Sequence, residues 1–183
     1  LPSVMKETTN FPGGYVKDPQ VGMHDWVMSF DLNSLYPNLI VQYNMSPETL
    51  IGVTNAVGAT ASNGAVFRKD KKGIIPEIVE ELYSKRVTVK GDMLKAKTKL
   101  ETIPKRQRIE YNQTSAQVAR LETLQTAIKI LLNSLYGAMG NKYFRYFDLR
   151  VASAITLTGQ EVIKFAETHV NNFLNDFVGE SKD

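Results

Sequence analysis

The stretch Phe30–Ile40, which reads FDLNSLYPNLI, decides how the N-terminal part of the chain folds. The run Trp26–Asp31 predicts a buried strand that ends on a carboxylate. Pro37 is typical of a first helical turn, so a short helix is expected to follow at once. The backbone amides of residues 34–36 would then lie at a helix entrance, where they can bind an anion. An ordinary strand-to-helix turn with a lone Asp31 is the alternative that this stretch leaves open.

The composition excludes several classes of protein. Cysteine is absent from the 183 residues, which excludes disulfides and metal sites built on thiolates. No run approaches the roughly 18 apolar residues of a membrane span, and the first residues lack the apolar core of a signal peptide. The chain begins with Leu1 instead of methionine, so we expect a piece of a longer protein.

Positive charge is concentrated in the central third of the chain. Between Arg68 and Arg108 there are thirteen Lys and Arg residues and six Asp and Glu residues, a local balance of +7, while the remainder carries −4. This distribution indicates a module that contacts polyanions. A solvated helix face with surplus lysines is the alternative.

Between the opening stretch and the centre, the sequence predicts short elements. Ser46 and Pro47 are typical of a helix start, with serine as the N-cap. Gly52–Val66 is rich in Gly, Ala, Ser and Asn, which indicates a loop or a hairpin.

Hydrophobic periodicity predicts three long helices after that. The first opens at Gly73, the second runs from near Ile109 to Met139, and Asp148 caps the third. Because only a short break at Pro104 separates the first two, we expect an antiparallel helical hairpin. The third helix carries an apolar stripe that should pack against another element, formed by Ile155, Val162, Ala166, Val170, Phe173 and Phe177.

The end of the second helix, Lys129–Gly140 (KILLNSLYGAMG), has two contrasting faces. The face predicted to lie in the core holds Ile128, Leu131, Leu132, Leu135 and Met139. The other combines a cation, an amide, a phenol and two glycines, namely Lys129, Asn133, Tyr136, Gly137 and Gly140. Interior glycine costs about 1 kcal/mol relative to alanine, so this face suggests that another body approaches the backbone closely. A glycine stop signal at a frayed helix end is the alternative.

Arg86 and Lys90 lie one helical turn apart, where two cations repel unless an anion bridges them. Two ordinary surface cations are the alternative. Asp31 after a strand is where Mg²⁺, which prefers oxygen ligands, could be held next to phosphates. Asp31, the Arg86 and Lys90 pair, and Lys129 would together form a polyphosphate site.

These motifs identify a resemblance to a known family. Asp31–Pro37 (DLNSLYP) resembles motif A of family B DNA polymerases, and Lys129–Gly137 (KILLNSLYG) resembles their motif B. Ser46–Thr49 and Gly140–Asp148 are similar to the replicative polymerases of tailed bacteriophages. The resemblance extends from about Pro12 to Phe177.

The resemblance implies an α+β fold: a partial polymerase palm of short strands and helices with an inserted antiparallel two-helix fingers hairpin. Residues 1–66 would be the N-terminal part of the palm with motif A. Residues 67–140 would be the fingers hairpin ending in motif B. Residues 141–183 would be a palm helix that stops before the second catalytic aspartate.

It also implies the chemistry of the full protein, a DNA-directed DNA polymerase that transfers a nucleotidyl group from dNTP to a primer 3′-hydroxyl with two Mg²⁺ ions. The catalytic residues would be Asp31 and Lys129, and the metal ligands Asp31 and the Leu32 carbonyl. The nucleotide would be bound by Ser34, Leu35, Tyr36, Arg86, Lys90, Lys129 and Asn133. The nascent base pair would face Asn133, Tyr136 and Gly137. The ring of Tyr36 would lie under the deoxyribose and exclude a 2′-hydroxyl.

One departure from the family pattern concerns the second catalytic aspartate, since no Asp-x-Asp occurs in the chain. The isolated chain is therefore expected to be inactive. The alternative function is a catalytically silent nucleic-acid-binding module on a polymerase scaffold. Implied partners are primer–template DNA, dNTP, and a sliding clamp and replisome proteins that bind outside this chain, with no membrane. The implied location is the cytoplasm of an infected bacterial host.

Overall fold

The computed structural model describes residues 13–24, 27–53 and 57–180. Helices dominate, and one small sheet accompanies them, as expected for an α+β fold. The elements in chain order are α1 (Leu35–Tyr43), a single 3₁₀ turn (Pro47–Thr49), β1 (Leu50–Val53), β2 (Ala59–Thr60), β3 (Ala65–Phe67), α2 (Ile74–Thr102), α3 (Arg108–Met139) and α4 (Leu149–Glu180).

The predicted strand before Asp31 is wrong for the residues that the structure describes. Residues 27–32 have no regular secondary structure, and Val27 and Phe30 are 77% and 69% exposed. Trp26 lies outside the described residues. A strand needs a neighbour to accept and donate its backbone hydrogen bonds, and the described strands pair only with one another.

The sheet is antiparallel with the order β1-β3-β2. Leu50 of β1 and Ala59 of β2 both lie opposite Phe67 of β3. Of the two structures predicted for Gly52–Val66, the hairpin is the one observed: its turn is closed by a hydrogen bond from the Ala61 amide to the Ala65 carbonyl over 2.8 Å. Phe67 is completely buried and joins the sheet to the core.

Asn44 connects the end of α1 to the start of α2. Its backbone has φ 58° and ψ 43°, the left-handed conformation that ends many helices. Its side-chain amide donates to the carbonyl oxygens of Arg68 and Lys71 over 2.6 and 2.8 Å. Its side-chain oxygen accepts the Gly73 amide over 2.8 Å. Since Asn44 is buried, these bonds fix the position of α2 relative to α1.

The helix start predicted at Ser46 is confirmed, although it forms only one 3₁₀ turn with a capping box between Ser46 and Thr49. Glu48 in this turn accepts hydrogen bonds from the Ser46 hydroxyl over 2.5 Å and the Ile74 amide over 2.6 Å. Burial raises the pKa of Glu48, but the hydrogen bonds outweigh burial, and its pKa lies below the ordinary value.

The two long helices predicted in the centre are confirmed as α2 and α3, which pack against each other. Ion pairs join Lys97 to Glu122 over 3.4 Å and Lys99 to Glu110 over 3.1 Å. The face of α3 predicted to be core is largely correct, since Ile128, Leu132 and Met139 are buried. Leu131 is the exception, at 55% exposure. It lies one residue before Leu132, about 100° around the helix from that buried position.

The third predicted helix is α4, and Asp148 caps it by accepting the Arg150 amide over 2.9 Å. Its first half is deeply buried, with Ile155 at 0% exposure. The prediction that the whole apolar stripe packs is wrong, because Phe173 and Phe177 are 68% and 63% exposed. At 32 residues α4 is about 48 Å long, whereas the nine residues of α1 beneath it span only about 14 Å. No helix in the described part of the chain has the length and apolarity needed to cross a bilayer.

Candidate nucleotide-binding site

The entrance of α1 is the first part of the site. Ser34 precedes the helix in a left-handed conformation, with φ 56° and ψ 44°, which is uncommon for a residue with a side chain. The Ser34 side chain makes no capping hydrogen bond. First-turn amides have no acceptor within their own helix, so those of Leu35 and Tyr36 are available to an anion. Pro37, buried in the first turn, has no amide hydrogen to satisfy.

Arg86 brings a positive charge to this entrance from α2. Its Nη1 atom lies 3.4 Å from the Ser34 hydroxyl oxygen. Its Nε atom is buried and has no hydrogen-bond partner within the described residues. A buried donor without a partner is costly, so an acceptor such as a phosphate oxygen would suit this guanidinium.

Tyr36 and Tyr136 join α1 to the end of α3. Their ring centroids are 4.7 Å apart and the rings are inclined by 31°. Burial and the neighbouring Tyr36 raise the pKa of Tyr136 to about 12, so its phenol stays neutral at physiological pH. Motif A and motif B therefore meet through two half-buried aromatic rings.

Asp31 lies in a cleft between the segment 28–35 and α4, and the cleft reaches the entrance of α1 at Leu35. The cleft has a volume of about 590 Å³, and its lining includes Asp31, Leu32 and Glu167. An exposed carboxylate and a backbone carbonyl are oxygen ligands of the kind that Mg²⁺ prefers. Glu167, however, is already paired with Lys17. Within the described residues, no group of three or more His, Cys, Asp or Glu side chains could hold a metal ion. The donor set fits part of a magnesium site.

The polar face of α3 is open. Lys129 and Asn133 are exposed, and a Cβ added to Gly137 would meet nothing within 4 Å. No packing inside the described part of the chain therefore requires glycine at position 137. Lys90 is likewise exposed on α2. In residues 13–24, 27–53 and 57–180, no hydrogen bond or ion pair joins Lys90 or Lys129 to motif A.

The basic central third is partly neutralised by surface ion pairs, which supports the solvated-face alternative for those residues. Such exposed pairs contribute little to stability. The cations paired in this way are Arg68, Lys72, Lys95, Lys97 and Lys99. Arg86 behaves differently, since it is half-buried and contacts Ser34.

Two glycines that lie against Tyr36 were not predicted from the sequence. Gly159 of α4 lies beside the Tyr36 ring, and Gly14 lies beside its hydroxyl group. An isolated glycine inside a strong helical pattern often has a packing reason, and Gly159 gave that signal. Gly14 follows Pro12 and Gly13, a pattern typical of a turn, and residues 13 and 14 have no regular structure; that pattern does not indicate a contact with Tyr36.

Comparison with known proteins identifies the family of the chain. The model of the family "DNA polymerase family B" matches residues 1–182. The chain is 34% identical to the DNA-directed DNA polymerase of Escherichia phage RB69, over 92% of the chain and 24% of that protein. It is 31% identical to the DNA-directed DNA polymerase of Enterobacteria phage T4, over 93% of the chain and 25% of that protein.

A solved structure is also similar. The structure of the family B DNA polymerase from the hyperthermophilic archaeon Pyrobaculum calidifontis has a TM-score of 0.64 and 26% identity, over 92% of this chain and 21% of that one. The chain thus spans about a quarter of the length of its phage relatives. Because the family model matches nearly every residue, the chain belongs to DNA polymerase family B.

Proposed function

We propose that the intact protein carrying this chain is a DNA-directed DNA polymerase. The primer 3′-oxygen bonds to the α-phosphorus of a dNTP, the bond from that phosphorus to the bridging oxygen breaks, and pyrophosphate leaves. The observation that carries the proposal is the position of Arg86, whose Nη1 lies 3.4 Å from Ser34 Oγ at the entrance of α1. A guanidinium beside free helix amides suits the triphosphate of a dNTP.

Other residues complete the triphosphate site. Ser34, Leu35 and Tyr36 supply backbone amides at the entrance of α1. Lys90 and Lys129 add positive charge, which stabilises the charge on the transferring phosphoryl group. The exposed positions of both lysines support this role, since their charges are available to a ligand.

The nascent base pair would lie against the open face of α3. Asn133 and Tyr136 contact it, and Gly137 gives it clearance. The empty space around Gly137 supports this assignment. Tyr36 lies under the deoxyribose, where its ring leaves no room for a 2′-hydroxyl.

The metal-binding part of the site is Asp31 with the Leu32 carbonyl. When bound, a Mg²⁺ pair activates the primer hydroxyl and stabilises the leaving pyrophosphate. Because Asp31 is the carboxylate that motif A contributes, a second carboxylate must come from elsewhere in the intact protein.

In domain terms, residues 1–66 and 141–183 belong to a palm, and residues 67–140 form the inserted fingers as an antiparallel two-helix hairpin. The five residues between α2 and α3 and the ion pairs between these helices support the hairpin. The intact enzyme acts on primer–template DNA, works with a sliding clamp and replisome proteins, and replicates phage DNA in the bacterial cytoplasm.

The test is primer extension by the intact protein, with Asp31→Asn as the variant and Asp92→Asn as the control. Asp92 is exposed on α2, 3.8 Å from Lys95, and its substitution should leave extension unchanged. We expect extension by the wild type and none by Asp31→Asn. A wild-type protein that binds DNA without extending a primer would instead favour the silent binding module.

A further inference from the structure

Gly159 packs directly against the ring of Tyr36. A Cβ built at position 159 would lie 2.7 Å from Tyr36 Cε1, 3.4 Å from Tyr36 Cδ1 and 3.6 Å from Leu35 Cδ2. Cβ contacts below 3.0 Å are essentially absent from real structures, so any larger residue must displace its neighbour. Gly159 is buried within α4 and has a helical backbone. Position 159 therefore needs glycine because a side chain would clash there, and not because its backbone adopts a conformation that only glycine tolerates.

Helix α4 is held in place and cannot easily withdraw from Tyr36. The hydroxyl of Thr158, the residue before Gly159, accepts the Ser62 amide over 3.1 Å. The side-chain amide of Asn63 donates to the Arg150 carbonyl and the Ser153 hydroxyl, each over 2.9 Å. A side chain added at position 159 would therefore act mainly on the Tyr36 ring.

The ring of Tyr36 also has little room on its other sides. The Tyr136 ring lies 4.7 Å away between centroids. A Cβ at Gly14 would lie 3.3 Å from the Tyr36 hydroxyl oxygen. Neighbours on α3, α4 and the N-terminal segment thus fix where this ring lies.

We propose that Gly159 is a positioning residue for sugar selection: by leaving space for the Tyr36 ring, it sets where that ring meets the sugar of the incoming nucleotide. The inference rests on the proposed role of Tyr36 and extends it to a residue on another helix. Gly159 touches no substrate and acts only through Tyr36. Residues at this position larger than glycine displace the ring and spoil its fit to deoxyribose.

The experiment uses the intact polymerase and compares Gly159→Ala, Tyr36→Val and the double variant. The control is Gly179→Ala, since Gly179 is also in α4 and a Cβ there would meet nothing within 4 Å. Steady-state kcat and KM are measured for a dNTP and for the matching rNTP. Displacement of a positioned group by about 1 Å can lower catalytic efficiency, kcat/KM, about a hundredfold.

For Gly159→Ala we expect about a tenfold rise in KM for the dNTP and about a tenfold loss of preference for dNTP over rNTP, with kcat changing less. In the Tyr36→Val background, the same substitution should change both quantities less than about twofold, because the ring it displaces is gone. Gly179→Ala should match the wild type.

Four results would overturn the inference. The first is that Gly159→Ala matches Gly179→Ala in KM and in sugar preference. The second is that the effect of Gly159→Ala persists in the Tyr36→Val background. Either result overturns the inference about Gly159 but not the proposed role of Tyr36. If Tyr36→Val leaves the sugar preference unchanged, the proposed role of Tyr36 fails and the inference fails with it. Should Gly159→Ala not fold, Tyr36→Val must restore soluble protein by relieving the clash, and no recovery would also overturn the inference.

Discussion

Arg86 Nη1 lies 3.4 Å from Ser34 Oγ, and this contact joins the second helix to the entrance of the first. The buried Nε of the same guanidinium has no partner among the described residues. Leaving a buried donor unpaired costs about 1–3 kcal/mol. An anion bound at this entrance would supply an oxygen acceptor for the Nε donor.

If the proposed function holds, substituting Arg86 should weaken nucleotide binding in the intact protein. A hydrogen bond to a charged group contributes about 1.5–3 kcal/mol, so Arg86→Ala should raise the dNTP dissociation constant about tenfold to a hundredfold. Pre-steady-state single-nucleotide incorporation on a primer–template measures this constant. Arg86→Lys should recover only part of the affinity, because lysine lacks the forked donors.

Lys85→Ala is the matched control, since Lys85 is the exposed neighbour of Arg86 on the same helix. It removes one positive charge without touching Ser34. An equal loss of affinity in both variants would mean that general electrostatics, and not the guanidinium at α1, binds the triphosphate.

Much of this fold was predictable from local sequence signals. The helix start at Ser46 and the cap at Asp148 follow from capping residues. The two long helices α2 and α3 follow from hydrophobic periodicity and from the break at Pro104. The errors arose where packing decides the outcome. Residues 27–31 have an apolar pattern typical of a strand, but no described strand pairs with them.

In the candidate site, too, local sequence signals were informative and contacts that depend on tertiary packing were not predictable. The family resemblance predicted that Tyr36 and Arg86 bind the same nucleotide, and both residues lie near the entrance of α1. The contact of Gly159 with Tyr36 could not be predicted, because it joins residues 123 positions apart through the packing of α4 on α1. No local sequence pattern indicates a contact between residues so far apart in the chain.

The 183-residue chain alone should not extend a primer. Two-metal catalysis needs carboxylates on both ions, and the sequence supplies Asp31 in motif A but no Asp-x-Asp. A radiolabelled primer–template, dNTPs and Mg²⁺ provide the assay, with the intact polymerase as the positive control. Extension that depends on Asp31 in the isolated chain would contradict this prediction.

Replacing Asn44 should destabilise the chain strongly. Asn44→Ala removes the side-chain bonds to Arg68, Lys71 and Gly73. It also places alanine in a left-handed conformation. We expect a loss of about 3 kcal/mol or more in the free energy of unfolding, measured by urea denaturation.

Asn44→Gly separates the two contributions, because glycine tolerates the left-handed backbone but lacks the hydrogen bonds. It should be more stable than Asn44→Ala and less stable than the wild type. Equal stability of Asn44→Gly and the wild type would show that the side-chain bonds contribute nothing.

The carboxylate of Glu48 should make stability depend on pH. Its hydrogen bonds to the Ser46 hydroxyl and the Ile74 amide hold its pKa below the ordinary value of 4.5, despite the opposing effect of burial. A carboxyl whose pKa is lower in the folded state stabilises that state above its ordinary pKa. This contribution disappears as the pH falls through the folded-state pKa. Glu48→Gln should remove it, since a neutral amide does not titrate.

Urea denaturation of the wild type and Glu48→Gln at several pH values tests this. The wild type should be more stable at pH about 7, and the difference should narrow as the pH is lowered through the acid range. Glu77→Gln is the control, because Glu77 is exposed in the first turn of α2 and lies one turn beyond the amide that Glu48 binds. If the difference in stability between the wild type and Glu48→Gln stays constant with pH, the charge on Glu48 does not stabilise the fold. Only the shape of its side chain would then matter.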